Sequence, residues 1–211
     1  MVSKIKNGET IVFTGDSITD CGRLGAYAPL GNGYVKIFYN LFLARYPEIN
    51  VRIFNTGISG NTIYDLSDRW LDDVLSLNPD WISVLIGIND LHRMLAGELK
   101  YDPKNYYEAF RRILDETSKR VKGIILMSPF YISRGTIFET HRKKVLEVIP
   151  QYISYVERLS NEFSTYYIDL HSVFQDLIKV REPIAYAPEP VHPNETGHTV
   201  IALKLLELLT S

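Results

Sequence analysis

Apolar runs of strand length and longer helix-like stretches alternate along this chain, and that alternation restricts the fold more than any other feature. Thr10 to Thr14, Val51 to Asn55, Trp81 to Ile86, Gly123 to Met127 and Tyr166 to Leu170 each read as a short buried strand. Helical patterns lie between them, at Val35 to Arg45, about Ile63 to Ser76, Asp102 to about Arg120, and Thr140 to Phe163. Pro103 takes the tolerated first-turn position of its helix, whereas Pro150 predicts a bend or break. Glu195 to Leu209 closes the chain as an amphipathic helix. Such βα alternation predicts an α/β fold, a parallel sheet with helices on both faces. No repeat, low-complexity tract or linker divides the 211 residues, so 1–211 reads as one domain.

Open parallel sheets collect function at the carboxyl ends of their strands. Four segments fall there: Gly15-Asp16-Ser17, Asn55-Thr56-Gly57, Gly87-Ile88-Asn89-Asp90 and Ser128-Pro129-Phe130. The first puts a serine hydroxyl directly behind a strand. Near the other terminus, Glu189 stands three residues before His192. A serine nucleophile needs a base for its proton, and the base needs an acid to orient it. Ser17, His192 and Glu189 offer one residue for each role, and Asp169 is a rival acid only if the fifth strand ends near His192.

A tetrahedral intermediate also needs donors for its oxyanion. Gly57 can present a bare backbone N–H, Asn89 a side-chain amide, and Ser17 its own N–H at a helix start, where donors are unpaired. Each has an ordinary alternative: Asp16 and Ser17 as a helix cap, Gly57 as a turn glycine, Asn89 as a cap or Asx turn. His92, His141, His171 and His198 lack a comparable setting and read as structural or solvated. No metal-ligand spacing such as H-E-x-x-H joins the histidines, and the chemistry above calls for no metal or cofactor.

Composition narrows the class. A net charge of −2 gives no reason to expect nucleic acid or an anionic membrane as partner. Cys21 is the only cysteine, so an intrachain disulfide is excluded. The N-terminus carries charge without an apolar core of a secretory signal, and no apolar run is long enough to span a bilayer; the expectation is a cytoplasmic protein. Val35 to Leu43 holds more apolar residues than one buried helix face needs, so that helix is either packed on several sides or shared in a homo-oligomer.

In these blocks the sequence resembles the SGNH hydrolase superfamily, the GDSL esterases and lipases. Gly15-Asp16-Ser17-Ile18 matches the nucleophile block, Gly57 in Asn55-Thr56-Gly57-Ile58-Ser59-Gly60 the second, Gly87-Ile88-Asn89-Asp90 the third, and His192 with the residue three before it the last. The resemblance implies a flavodoxin-like three-layer α/β/α sandwich with a five-stranded parallel sheet in the order 2-1-3-4-5. It also implies Ser17 as nucleophile, His192 as base, and Ser17, Gly57 and Asn89 as the oxyanion hole. Glu189 departs from the family's usual aspartate. Other serine hydrolases use glutamate as the acid, and no G-x-S-x-G elbow competes.

Within the superfamily, the long first block, Arg69-Trp70 and Asn78-Pro79-Asp80 are most similar to bacterial carbohydrate acetylesterases such as acetylxylan esterases. A short-chain ester of a small molecule or oligosaccharide is the substrate implied, with Tyr186 beside the pocket to stack on a sugar. Three other readings stay open. They are a lysophospholipase or thioesterase, a non-catalytic sugar-binding module, and a nucleotide or flavin site at the first loop, where Asp16 and Asp20 would repel phosphate.

Overall fold

The computed structural model describes residues 2–135 and 140–210. At its centre lie five parallel strands, β1 (Thr10–Gly15), β2 (Arg52–Asn55), β3 (Trp81–Leu85), β4 (Gly123–Met127) and β5 (Tyr166–Ile168), in the order β2-β1-β3-β4-β5. This is the sheet that the family resemblance implies. Strands β1 and β3 are buried on both faces, so they are continuous apolar runs instead of alternating ones. Edge strand β2 leaves Arg52 and Phe54 exposed.

The helices are α1 (Ser17–Asp20), α2 (Tyr34–Arg45), α3 (Ile63–Asp68), α4 (Trp70–Asp73), α5 (Ile88–Leu95), α6 (Pro103–Thr117), α7 (Thr140–Phe163), α8 (Leu170–Val180) and α9 (Glu195–Leu209). Helix α2 packs on α9, while α6 packs on α3 and α7. Right-handed crossovers between parallel strands place these two groups on opposite faces of the sheet. The apolar surplus of α2 is largely spent inside the chain. Tyr34, Val35, Phe38 and Phe42 are buried, and the Phe13 ring lies 5.4 Å from Phe38, itself 5.8 Å from Phe42. Leu43 alone on this stretch stands 46% exposed.

Several elements differ from the sequence reading. The stretch from Ile63 to Ser76 breaks at Arg69, beyond which Trp70 buries its ring and donates its indole N–H to Thr117 Oγ1 at 2.9 Å. Strand β5 stops at Ile168 because the Asp169 carboxylate caps α8, accepting from Ser172 N at 3.1 Å. Pro150 sits inside an unbroken α7 on its exposed side, where water can reach the carbonyl that its missing N–H leaves unpaired. No helix among the described residues is long and apolar enough to cross a membrane.

The chain leaves β1 for β2 on one side and then returns to β3 on the other. The loops after β1 and β3 diverge at that point, opening a crevice at the carboxyl ends of the strands.

Candidate active site

Gly15 ends β1 where only a residue without a side chain fits: a Cβ there would meet the Leu85 carbonyl oxygen of β3 at 2.1 Å. The chain then turns through Asp16, whose carboxylate caps α1 by accepting from Ile18 N at 3.0 Å. Capping and nucleophile placement are therefore one device, because the cap fixes Ser17 as the first residue of α1. Ser17 is half-buried, and its N–H finds no acceptor among the described residues.

Ser17 Oγ lies 2.8 Å from His192 Nε2, although 175 positions separate them in sequence. On the far side of the ring, His192 Nδ1 lies 2.6 Å from Glu189 Oε1. The Glu189 carboxylate also accepts from the backbone N–H groups of Val191, at 2.9 Å, and His192, at 2.7 Å. Burial opposes its ionisation, but these backbone bonds and the imidazole hold its carboxyl below the usual range. A longer acid than aspartate fits here because the loop folds back on the carboxylate. Asn194 then caps α9 by accepting from Gly197 N at 3.1 Å, so the histidine loop is anchored immediately after His192. Asp169 is engaged elsewhere, with Ser128 and Ser172.

Gly57, on the loop after β2, and Asn89, in the first turn of α5, flank the end of β1. A Cβ on Gly57 would come within 2.5 Å of Asp20 N, so glycine is what allows this loop to reach α1. Its N–H donates to Asn55 Oδ1 at 2.9 Å, and a substrate oxyanion would have to share that donor. Asn89 occupies the first turn of α5 and gives one amide hydrogen to the Asn61 carbonyl at 3.0 Å, leaving the other available. Ser59, the other serine near the second block, donates to Asp20 Oδ2 at 2.7 Å and is thereby tied to α1.

Tyr186 requires a correction. Its side chain is only 9% exposed and meets Phe174 of α8 edge-on, with ring centroids 6.5 Å apart, so it has no open face for a sugar. The other histidines have structural partners. His198 Nδ1 accepts from Tyr34 N at 3.2 Å, and burial followed by the nearby His192 charge pushes the ring down to about 4. His171 Nδ1 accepts from Tyr131 N at 3.3 Å, and His92 packs against the rings of Tyr131 and His141.

Arg69 is the residue that sequence reasoning underused. Its guanidinium donates to the Thr56 carbonyl at 2.7 Å, the Gly15 carbonyl at 3.1 Å and Asn61 Oδ1 at 2.7 Å, and pairs with Asp73 at 3.0 Å. It thus ties together the exits of β1 and β2 and the residue that holds Asn89. Two buried acids lie beneath the same loops. Asp16 has one carboxylate oxygen without a partner among the described residues, and burial pushes it up to about 7. Asp90, which accepts from Ile63 N at 3.1 Å, is likewise pushed up to about 7 by burial.

A serine, an imidazole and a carboxylate in hydrogen-bonded sequence, at the crevice of a doubly wound sheet, define the serine hydrolase class. The profile of the GDSL-like lipase/acylhydrolase family matches residues 13–200, and the chain belongs to that family. It is 40% identical over 212 residues to an acetylxylan esterase of Geobacillus stearothermophilus, covering 96% of this chain and 94% of that one. The crystal structure of an acetylxylan esterase from the same organism superposes with a TM-score of 0.89 at 39% identity, over 98% of this chain and 96% of the other. Catalytic mutants of that enzyme replace a serine, an aspartate and a histidine by alanine, the last two lying three positions apart. An alpha/beta hydrolase from the metagenome of Lake Arreo, Spain, also matches, with a TM-score of 0.87 at 31% identity over 97% of this chain and 96% of that one.

Proposed function

We propose that the protein hydrolyses acetyl and other short acyl esters of carbohydrates through an acyl-enzyme on Ser17. The observation that carries this reading is the continuous contact from Ser17 Oγ through the His192 ring to Glu189, at 2.8 and 2.6 Å. His192 takes the Ser17 proton as the oxygen attacks the ester carbonyl. Glu189 holds Nδ1 and stabilises the imidazolium that forms. The Ser17 N–H, the free hydrogen of the Asn89 amide and the shared Gly57 N–H face the charge that develops on the carbonyl oxygen. His192 returns the proton to the leaving alcohol, and water then repeats the sequence on the acyl-enzyme.

The similarity to acetylxylan esterase supports a carbohydrate ester in place of a lipid. A cytoplasmic location and homo-oligomeric assembly belong to the same proposal. The first rests on the single cysteine, the second on the exposed apolar remainder of α2. Labelling by a fluorophosphonate tests the mechanism: the wild type should take up one equivalent and Ser17→Ala none, with turnover falling about 10⁶-fold. Full activity in folded Ser17→Ala would sink it. A series of aryl esters from acetate to long chains, with lysophospholipid alongside, ranks the acyl groups. Faster turnover of long chains would favour a lysophospholipase or thioesterase.

A further inference from the structure

Ser17 and His192 stand at one end of a cleft of about 690 Å³. Its far wall is the solvent side of α2. Lys36 and Asn40 lie one turn apart there, Asn32 of the loop before α2 lines the same cleft, and so does Glu195 at the start of α9. Asn32, Lys36 and Asn40 are exposed. Among the described residues, the side-chain amides of Asn32 and Asn40 and the Glu195 carboxylate have no hydrogen-bond partner within the chain. Lys36 lies over the Tyr39 ring at 5.4 Å and has no acidic partner among the described residues. The cleft thus presents unspent donors and acceptors and a balanced charge.

The chemistry of the neighbouring site fixes which half of an ester can enter. The leaving oxygen must come within reach of His192 Nε2, since that nitrogen supplies its proton. The carbonyl oxygen turns the other way, toward Gly57 and Asn89, neither of which lies on the cleft wall. The alcohol half therefore extends along α2. Residues four apart on a helix are spaced by about 6 Å along its axis, comparable to one pyranose unit of an extended glycan. We infer that this cleft is the subsite for the alcohol, and that Lys36 and Asn40 bind the hydroxyls of successive units of a neutral oligosaccharide, with Asn32 of the loop before α2 as a further polar contact. Ile37, between them on the same wall, offers an apolar surface for a sugar face.

This inference rests on the esterase reading and sharpens its substrate. Its test compares acetylated xylose, xylobiose and xylotriose with 4-nitrophenyl acetate, whose leaving group is too short to follow the wall. In the wild type, kcat/KM should climb from the mono- to the trisaccharide. In Lys36→Met combined with Asn40→Leu, the ratio of trisaccharide to aryl-acetate kcat/KM should fall about tenfold, the size of two modest hydrogen bonds, chiefly through KM. Both substitutions are at exposed helix positions, and retained melting temperature verifies the fold. Equal rates across the three sugar esters, or an unchanged ratio in the double variant, overturn the assignment while esterase activity persists. Failure of the underlying reading shows differently, as hydrolysis that survives Ser17→Ala.

Discussion

The guanidinium of Arg69 donates to the carbonyl of Thr56 at 2.7 Å, one residue before Gly57. Because the same group also holds the Gly15 carbonyl and Asn61, it ties the turn that carries Ser17 to the loop before Gly57 and to the partner of Asn89. Arg69→Met should lower kcat about 10²-fold with little change in KM, since small displacements of reacting groups are costly. It should also destabilise the fold by about 1–3 kcal/mol through the carbonyls left unpaired. A variant that melts lower but turns over normally would make Arg69 a structural tie alone.

Among the described residues Asn89 spends one amide hydrogen, on the Asn61 carbonyl, and keeps the other unspent for the proposed oxyanion. Asn89→Ala should therefore cost about 10²–10³ in kcat, the usual worth of one such donor. Steady-state kinetics on an aryl acetate separates the outcomes, because a raised KM at constant kcat would assign the amide to ground-state binding instead.

Glu189→Gln removes the charge that faces imidazolium while leaving the size of the side chain unchanged. Turnover should fall by about 10²–10⁴-fold, as for loss of the acid from other triads. Near-normal turnover would show that the backbone bonds of this loop orient His192 unaided.

Asp16 makes stability depend on pH in a definite direction. Its carboxyl is pushed up to about 7 by burial, against about 4 in an unfolded chain. The folded state thus binds more protons between those values, and stability falls as pH rises across that window. Asp16→Asn keeps an oxygen for Ile18 N and carries no charge. Its melting temperature relative to wild type should rise from pH 4.5 to pH 8, by roughly 2–4 °C for each kcal/mol recovered. A difference that is flat with pH would show Asp16 to be paired or neutral throughout.

The parts of the site that could be read from the sequence are those whose chemistry resides in side chains near strand ends. Ser17, Glu189, His192 and Asn89 fall in this class, as does the order of the strands through the family blocks. Arg69 does not, because its main partners are backbone carbonyls of Gly15 and Thr56, which leave no mark in sequence. Helix α8 was hidden because the apolar run from Tyr166 to Leu170 spans a three-residue strand, a capping Asp169 and the first helical residue. Short apolar runs of this kind do not distinguish strand from helix. The misplacement of Tyr186 follows from the same gap, since the ring that covers it, Phe174, belongs to α8. Gly57 shows the opposite case: the glycine was found, but its occupied N–H depends on where the Asn55 side chain turns.

Ser17 follows β1 directly, and His192 sits just ahead of α9. Unless α9 docks on α2, nothing holds His192 beside Ser17, so ester cleavage should wait for that docking. Hydrolysis of a fluorogenic ester during refolding would then report the docking of α9 on α2, and chains with α9 undocked would stay silent however well their sheet had formed.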